Sequence, residues 1–159
     1  MKKWIALFLT LALALSLSVT AFAAEINQDS DPQEAEVKVT TSIEPTYTVT
    51  IPEDVEVKFN ETSTDFGTIE LTDAQLDPEY AVTVTLSASG ELKNEADKTK
   101  TIAYAVNSQG EAFSSAKYQD EGDSTALTID ITQEAWDAAY AGEYSDPVTF
   151  TISYGKVTP

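Results

Sequence analysis

The chain has 159 residues, 27 acidic side chains against nine basic ones and a formal net charge of −18, with no histidine and no cysteine. So acidic a chain repels phosphate backbones and anionic membranes, which excludes nucleic acid as a partner. Without histidine or cysteine, neither a Ser-His-Asp or Cys-His arrangement nor a zinc site of the usual nitrogen and sulfur type can be built. A hydrolase with two carboxylates stays formally open. Chance alone brings many of these acids together, so we predict a protein that is not an enzyme.

The first residues have the pattern of a secretory signal peptide. Lys2 and Lys3 precede a nearly unbroken apolar run over residues 5–19, and Ala-Phe-Ala at residues 21–23 matches a cleavage site. An uncleaved membrane anchor is the alternative, but the apolar run is short for a span. We therefore predict a signal peptide at 1–23, no membrane span after its removal, and a protein that is secreted or associated with the cell surface.

The mature chain begins near Ala24 and consists of a leader followed by one domain. Residues 24–36 are polar and acidic, with almost nothing to bury, which predicts a flexible leader. Residues 37–156 contain short segments in which apolar and polar residues alternate, the period of a strand. The predicted strands are residues 37–43, 47–51, 55–59, 66–71, 80–86, 102–106, 127–131 and 148–154.

The last of these strands has the strictest alternation. Its apolar positions, Val148, Phe150, Ile152 and Tyr154, are separated by threonine and serine. We interpret it as a central strand. Together, these segments and the turn residues between them predict an all-β, immunoglobulin-like antiparallel β-sandwich of about eight strands.

One short helix and one long loop complete the predicted domain. Thr132 has the position of a helix N-cap, with Glu134 in the first turn, and Gly142 is expected to end the helix. Residues 87–100 are predicted as a loop from which Leu92 returns to the core. Residues 111–124 have weak periodicity and include an acidic turn at 119–123. A β-bulge is predicted at the glycine of the 66–71 strand, Gly67.

Two segments resemble secreted bacterial β-sandwich proteins. Residues 141–154 resemble the spore-coat-U and secreted-pilin group and the WxL-type cell-wall proteins. Their sequence is Ala-Gly-Glu-Tyr-Ser-Asp-Pro-Val-Thr-Phe-Thr-Ile-Ser-Tyr. Residues 47–52, Tyr-Thr-Val-Thr-Ile-Pro, resemble the opening strand of the second group. The resemblance implies a sandwich fold at the cell surface. It assigns no binding residue, because the hallmark tryptophan of the WxL proteins is missing from the last strand.

Calcium is the one metal that the acidic composition brings into question. Asp120, Glu121 and Asp123 surround Gly122 in a predicted turn, and carboxylate oxygens are ligands that calcium prefers. Their spacing does not match an EF-hand loop. A solvated acidic turn is the favoured interpretation, and we predict no bound cofactor.

Three aromatic residues are candidates for a sugar-binding surface. Trp136 stands with Tyr140 at helical spacing, and Tyr118 precedes them. They form either a platform on which sugar rings stack or, in the favoured interpretation, a lid whose inner face carries Trp136 and Tyr140. Tyr144 is predicted to be a corner tyrosine whose hydroxyl binds backbone.

A covalent cross-link is a further hypothesis. Lys38 or Lys58 and Asn107 are the residue types of an isopeptide bond promoted by an acid, although nothing in their spacing pairs them.

These observations predict a non-enzymatic β-sandwich of the cell envelope or extracellular space with an adhesive or structural role. The alternative is a stand-alone carbohydrate-binding module. The predicted partners are a cell-wall polymer, a glycan or another surface protein, and the sequence does not distinguish among them.

Overall fold

The computed structural model describes residues 25–157, and the predicted signal peptide and its cleavage site lie outside them. The chain divides into two units at Ser42, and all regular secondary structure of the described residues lies in the second. That unit contains eleven strands and one helix. They are β1 (Thr46–Thr50), β2 (Ser63–Gln75), β3 (Tyr80–Ser87), β4 (Glu91–Asn94), β5 (Thr101–Ala103), β6 (Ala105–Ser108), β7 (Glu111–Ala112), β8 (Ser115–Tyr118), β9 (Ser124–Asp130), α1 (Gln133–Asp137), β10 (Tyr144–Ser145) and β11 (Thr149–Lys156).

The strands form an antiparallel sandwich, as predicted, with eleven strands rather than about eight. One sheet has the order β1-β2-β9-β6-β7 and a second the order β11-β3-β8. A third sheet has the order β10-β4-β5. It continues the second beyond a break, because β4 follows β3 and β10 precedes β11, and the pairs β3–β11 and β4–β10 are both antiparallel. The strand formed by β5 and β6 crosses between the layers at Tyr104.

The core lies between the two layers. The first sheet contributes Phe66, Ile69, Leu71, Val106, Leu127 and Ile129, and the opposite layer contributes Val82, Val84, Ile102 and Tyr118. Phe66 contacts Phe150 of β11 across the layers, with ring centroids 6.0 Å apart. Truncation of a fully buried leucine or isoleucine costs about 2–5 kcal/mol, so this cluster accounts for much of the stability of the sandwich.

Strand β11 has the predicted alternation but not the predicted position. It pairs with β3 in unbroken register from Thr149 opposite Ser87 to Lys156 opposite Tyr80. Within residues 25–157 it pairs with no other strand, so it lies at the edge of its sheet and the prediction of a central strand is wrong. Alternation reports which face of a strand is buried. It does not report how many strands lie beside it.

Two predicted strands, 37–43 and 55–59, are not strands in the structure. Both have alternating apolar residues, but a strand also needs a partner for its backbone groups. Neither segment pairs with a strand of the described residues. The first of the two segments lies partly outside the unit that holds the sheets.

The predicted loop at residues 87–100 is shorter than expected because it includes β4. Residues 111–124, in which the periodicity is weak, include the short strands β7 and β8. The side chain of Leu92 packs against the core, as predicted. The predicted bulge at Gly67 is confirmed by a register shift between β2 and β9.

The short helix begins as predicted and ends early. The Thr132 hydroxyl accepts a hydrogen bond from the Ala135 backbone N–H at 3.2 Å, which confirms the N-cap. The helix ends at Asp137 with Ala138 as its C-cap, so the predicted end at Gly142 is wrong. Among the described residues, no helix has the length and apolar character needed to cross a membrane.

Candidate functional site

The edges of the two main sheets meet on one side of the sandwich. Among the strands of residues 25–157, β1 pairs only with β2, and β11 pairs only with β3. Tyr47 of β1 contacts Tyr154 of β11, with ring centroids 5.7 Å apart. We call this region, formed by β1 and β11, the lateral side. It presents two strand edges whose outward backbone groups are available for pairing.

Apolar side chains are exposed on the lateral side. Ile152 lies on the same face of β11 as Phe150 and Tyr154. Those two side chains pack against the core, whereas Ile152 is 39% exposed. Tyr47 and Ile51 are exposed as well. An exposed apolar residue on the inner face of an edge strand indicates a sandwich that stays open on this side.

A row of three tyrosines lies at one end of the lateral side. Tyr154 is its middle member, with ring centroids 5.2 Å from Tyr80 and 5.7 Å from Tyr47. The Tyr154 hydroxyl donates to an Asp77 carboxylate oxygen at 3.0 Å and accepts from the Asp77 backbone N–H at 2.8 Å. Burial raises the pKa of Tyr154. This tyrosine row was not predicted, because its members are brought together from three distant strands.

The three aromatic candidates for sugar binding do not form one exposed surface. Trp136 is 8% exposed, donates from its indole nitrogen to the Glu61 carbonyl at 2.9 Å, and packs edge-on against Phe59. Tyr118 is buried and donates to the Thr125 hydroxyl at 2.8 Å. The burial of Trp136 agrees with the lid interpretation.

Tyr140 does not lie on the inner face of the lid. It is 63% exposed, and the Lys100 ammonium lies 4.6 Å from its ring centroid. The backbone at Tyr140 instead holds Tyr144, whose hydroxyl donates to the Tyr140 carbonyl at 2.9 Å and accepts from its N–H at 3.2 Å. The predicted corner tyrosine is thus confirmed.

The acidic turn uses one of its carboxylates internally. One Asp123 oxygen accepts from the backbone N–H groups of Asp120, at 3.0 Å, and Gln119, at 2.8 Å, and these bonds lower the pKa of Asp123. The part of the chain that the structure describes contains no group of three or more acidic side chains placed to hold a metal ion. Calcium binding by Asp120, Glu121 and Asp123 stays an untested hypothesis.

A second carboxylate, Asp130, joins three strands of the first sheet. Its two oxygens accept from the Ser63 hydroxyl and from the Asn107 amide, each at 2.5 Å. These side-chain bonds, that of Ser63 first, lower the pKa of Asp130. The Asn107 amide is thus held by a carboxylate, and the isopeptide hypothesis stays untested.

Asp130→Asn is expected to lower the melting temperature at pH 7 and to have little effect in acid. Because the folded-state pKa of Asp130 is lowered, its stabilising effect is present above the unfolded value of about 4 and is lost as pH falls through the folded value. The difference in melting temperature between the wild type and the variant should therefore shrink as pH falls below the unfolded value of about 4. Asp73→Asn, which removes an exposed carboxylate from β2, is the matched control and should show no such narrowing.

Comparisons with known proteins leave the family open. No protein-family model and no curated protein matches the sequence, so the resemblance to the spore-coat-U, secreted-pilin and WxL-type groups stays a prediction. A search of solved structures matches a chain from work titled "Chaperone-tip adhesin complex is vital for synergistic activation of CFA/I fimbriae biogenesis". The match has a TM-score of 0.46 and 11% identity, and it covers 67% of this chain and 42% of that one. A likeness this distant does not define a shared function.

Proposed function

We propose that this chain is an exported, non-enzymatic β-sandwich of the cell envelope or extracellular space with a structural or adhesive role. We propose that its partners are proteins that contribute an extended segment, which pairs as an additional strand on the lateral side. Pairing of this kind obtains its affinity from main-chain hydrogen bonds and its specificity from alternate side chains.

The open edge of β11 is the observation that carries the proposal. In β11, Phe150, Ile152 and Tyr154 alternate with threonine and serine. The segment from Thr149 to Tyr154 contains no charged side chain. Edge strands are commonly protected by lysine, proline or a covering loop. Here the charge comes only at Lys156, the last residue of the strand.

The segment that follows the leader, residues 37–43, matches this edge. Val37, Val39 and Ile43 are 79%, 93% and 63% exposed, although they alternate with lysine, threonine and serine as a strand would. Residues 37–43 contain no acid and one lysine, whereas residues 43–159 contain 22 acidic residues against six lysines. The acidic leader is repelled by the acidic sandwich, whereas residues 37–43 are attracted to it. We propose that residues 37–43 of a second copy are the first partner of β11.

Sedimentation velocity of the chain from Ala24 onward tests this pairing. At about 0.15 M salt, where repulsion between the acidic copies is screened beyond about 8 Å, we expect concentration-dependent association. Val39→Glu should weaken that association by about tenfold or more, because it places a charge on the apolar face of the added strand. The matched control, Thr40→Glu, adds the same charge to the opposite face and should leave association within about threefold of the wild type.

A disulfide trap locates the pairing, because the native chain has no cysteine. Chains carrying only Thr40→Cys are mixed with chains carrying only Thr151→Cys, and a disulfide-linked heterodimer is expected after mild oxidation. Thr101→Cys on β5 replaces Thr151→Cys in the control and should give little heterodimer. A chain that is monomeric at every concentration, or equal trapping at β5 and β11, would contradict the proposal.

A further inference from the structure

A groove of about 480 Å³ lies beside the tyrosine row, at the end of the sandwich where β2 turns into β3. Its volume falls within the range of about 300–1,000 Å³ found for small-molecule sites. The side chains that provide its chemistry are one aromatic ring, two amides and three carboxylates: Tyr80, Gln75, Gln119, Asp77, Glu79 and Asp120. None of these residues was a candidate for sugar binding in the sequence, and Asp120 was considered only for calcium.

Both walls of the groove are held in place. On one wall the Tyr80 N–H donates to the Asp77 carbonyl at 3.1 Å, and Asp77 in turn binds Tyr154. On the other wall Asp123 accepts from the backbone of Gln119 and Asp120. The Gln119 amide donates to the Tyr80 carbonyl at 3.4 Å and thereby joins the two walls. Such fixed walls reduce the ordering that a ligand must impose when it binds.

The charge of the groove selects among ligands. Glu79 forms an ion pair with Lys156 at 2.9 Å, so its charge is largely balanced. Asp77 accepts one hydrogen bond from Tyr154, and within residues 25–157 the Asp120 carboxylate accepts no hydrogen bond. Phosphates and uronic acids are therefore repelled, and a ligand that carries a positive charge is attracted.

The ring and the amides favour a sugar over a simple amine. An aromatic face packs against the C–H groups of a pyranose ring and attracts a nearby cation. The Gln75 side chain offers both a donor and an acceptor to sugar hydroxyls. We propose that this groove binds a protonated amino sugar, with its ring against Tyr80, its ammonium group near Asp77 and Asp120, and its hydroxyls at Gln75 and Gln119.

Calorimetric titration with three tetramers tests the inference: β-1,4-linked glucosamine, its N-acetylated counterpart and tetralysine. The glucosamine tetramer is expected to bind at least about tenfold more tightly than the other two. Acetylation removes the positive charge, and tetralysine lacks the ring and hydroxyls. If tetralysine binds as tightly as the glucosamine tetramer, binding reflects only attraction between opposite charges. If the N-acetylated tetramer binds as tightly, the ammonium group does not contribute to recognition. Either result overturns the proposal.

Variants place the binding in the groove. Asp120→Asn and Tyr80→Leu should each weaken binding of the glucosamine tetramer by about fivefold or more, and circular dichroism shows whether each variant remains folded. Glu111→Gln removes an exposed carboxylate from β7 and is the charge-matched control, with an expected change below about twofold. If Asp120→Asn and Glu111→Gln have the same effect, the groove is not the site.

This inference is independent of the pairing at β11. Val39→Glu, which is expected to disrupt pairing, should leave binding of the glucosamine tetramer unchanged. A monomeric chain that binds the tetramer therefore contradicts only the pairing, and an associating chain that does not bind it contradicts only the groove.

Discussion

Replacement of Trp136 by alanine is expected to lower the free energy of unfolding by about 3–5 kcal/mol. The indole is 8% exposed, packs edge-on against Phe59 at a centroid distance of 5.6 Å, and donates to the Glu61 carbonyl at 2.9 Å. Alanine would leave a cavity beneath the helix and would leave that carbonyl without its hydrogen bond. Urea unfolding followed by far-ultraviolet circular dichroism measures the effect.

Tyr140→Ala is the matched control, because Tyr140 belongs to the same segment and is 63% exposed. Its loss should cost no more than about 1 kcal/mol, the strength of an exposed cation–π contact with Lys100. In the chain from Ala24 onward Trp136 is the only tryptophan, so its fluorescence gives a second measurement. Emission at long wavelength that acrylamide quenches readily, or equal costs for the two variants, would show that Trp136 is not a core residue.

Gly142→Ala is expected to destabilise the sandwich by about 2–4 kcal/mol. Gly142 has a φ of +148°, and a Cβ placed there would lie 2.3 Å from the Asn94 side-chain nitrogen. Asn94 is buried and cannot easily move away, because its side-chain oxygen accepts from the N–H groups of Ala96 at 2.9 Å and Asp97 at 3.1 Å. The variant would strain the chain where β10 pairs with β4.

Gly110→Ala separates the steric clash from the backbone strain. Gly110 also has a positive φ, +84°, but a Cβ there would meet nothing within 4 Å. Its replacement should cost about 1–2 kcal/mol, the usual penalty for a left-handed conformation. If both variants unfold at the same urea concentration, Asn94 yields to the added methyl group and the clash has no energetic consequence.

Local patterns predicted local structure well. The Thr132 N-cap and the hydrogen bonds between Tyr144 and the backbone of Tyr140 join residues within four positions of each other. The bulge at Gly67 follows from the conformational preference of glycine. The inner face of β11 was likewise correct. Each of these features follows from sequence neighbours or from one residue type, so a local pattern is enough to predict it.

Features that join distant residues were missed. The tyrosine row unites β1, β3 and β11, and the groove beside it joins the β2–β3 turn to the turn after β8. The sequence contains the same tyrosines and acids but no signal of which ones meet. Of the three aromatic residues chosen from the sequence, Tyr118 and Trp136 are buried.

The sequence by itself determined that this chain is an acidic, all-β domain without histidine or cysteine, because composition and alternation depend on side-chain chemistry alone. The tertiary structure decided which alternating segments are strands, that β11 is an edge, and where tyrosines and carboxylates converge. Strand pairing is satisfied by partners far away in the chain, and the competition among segments for a limited number of sheet edges is settled only when the whole domain folds.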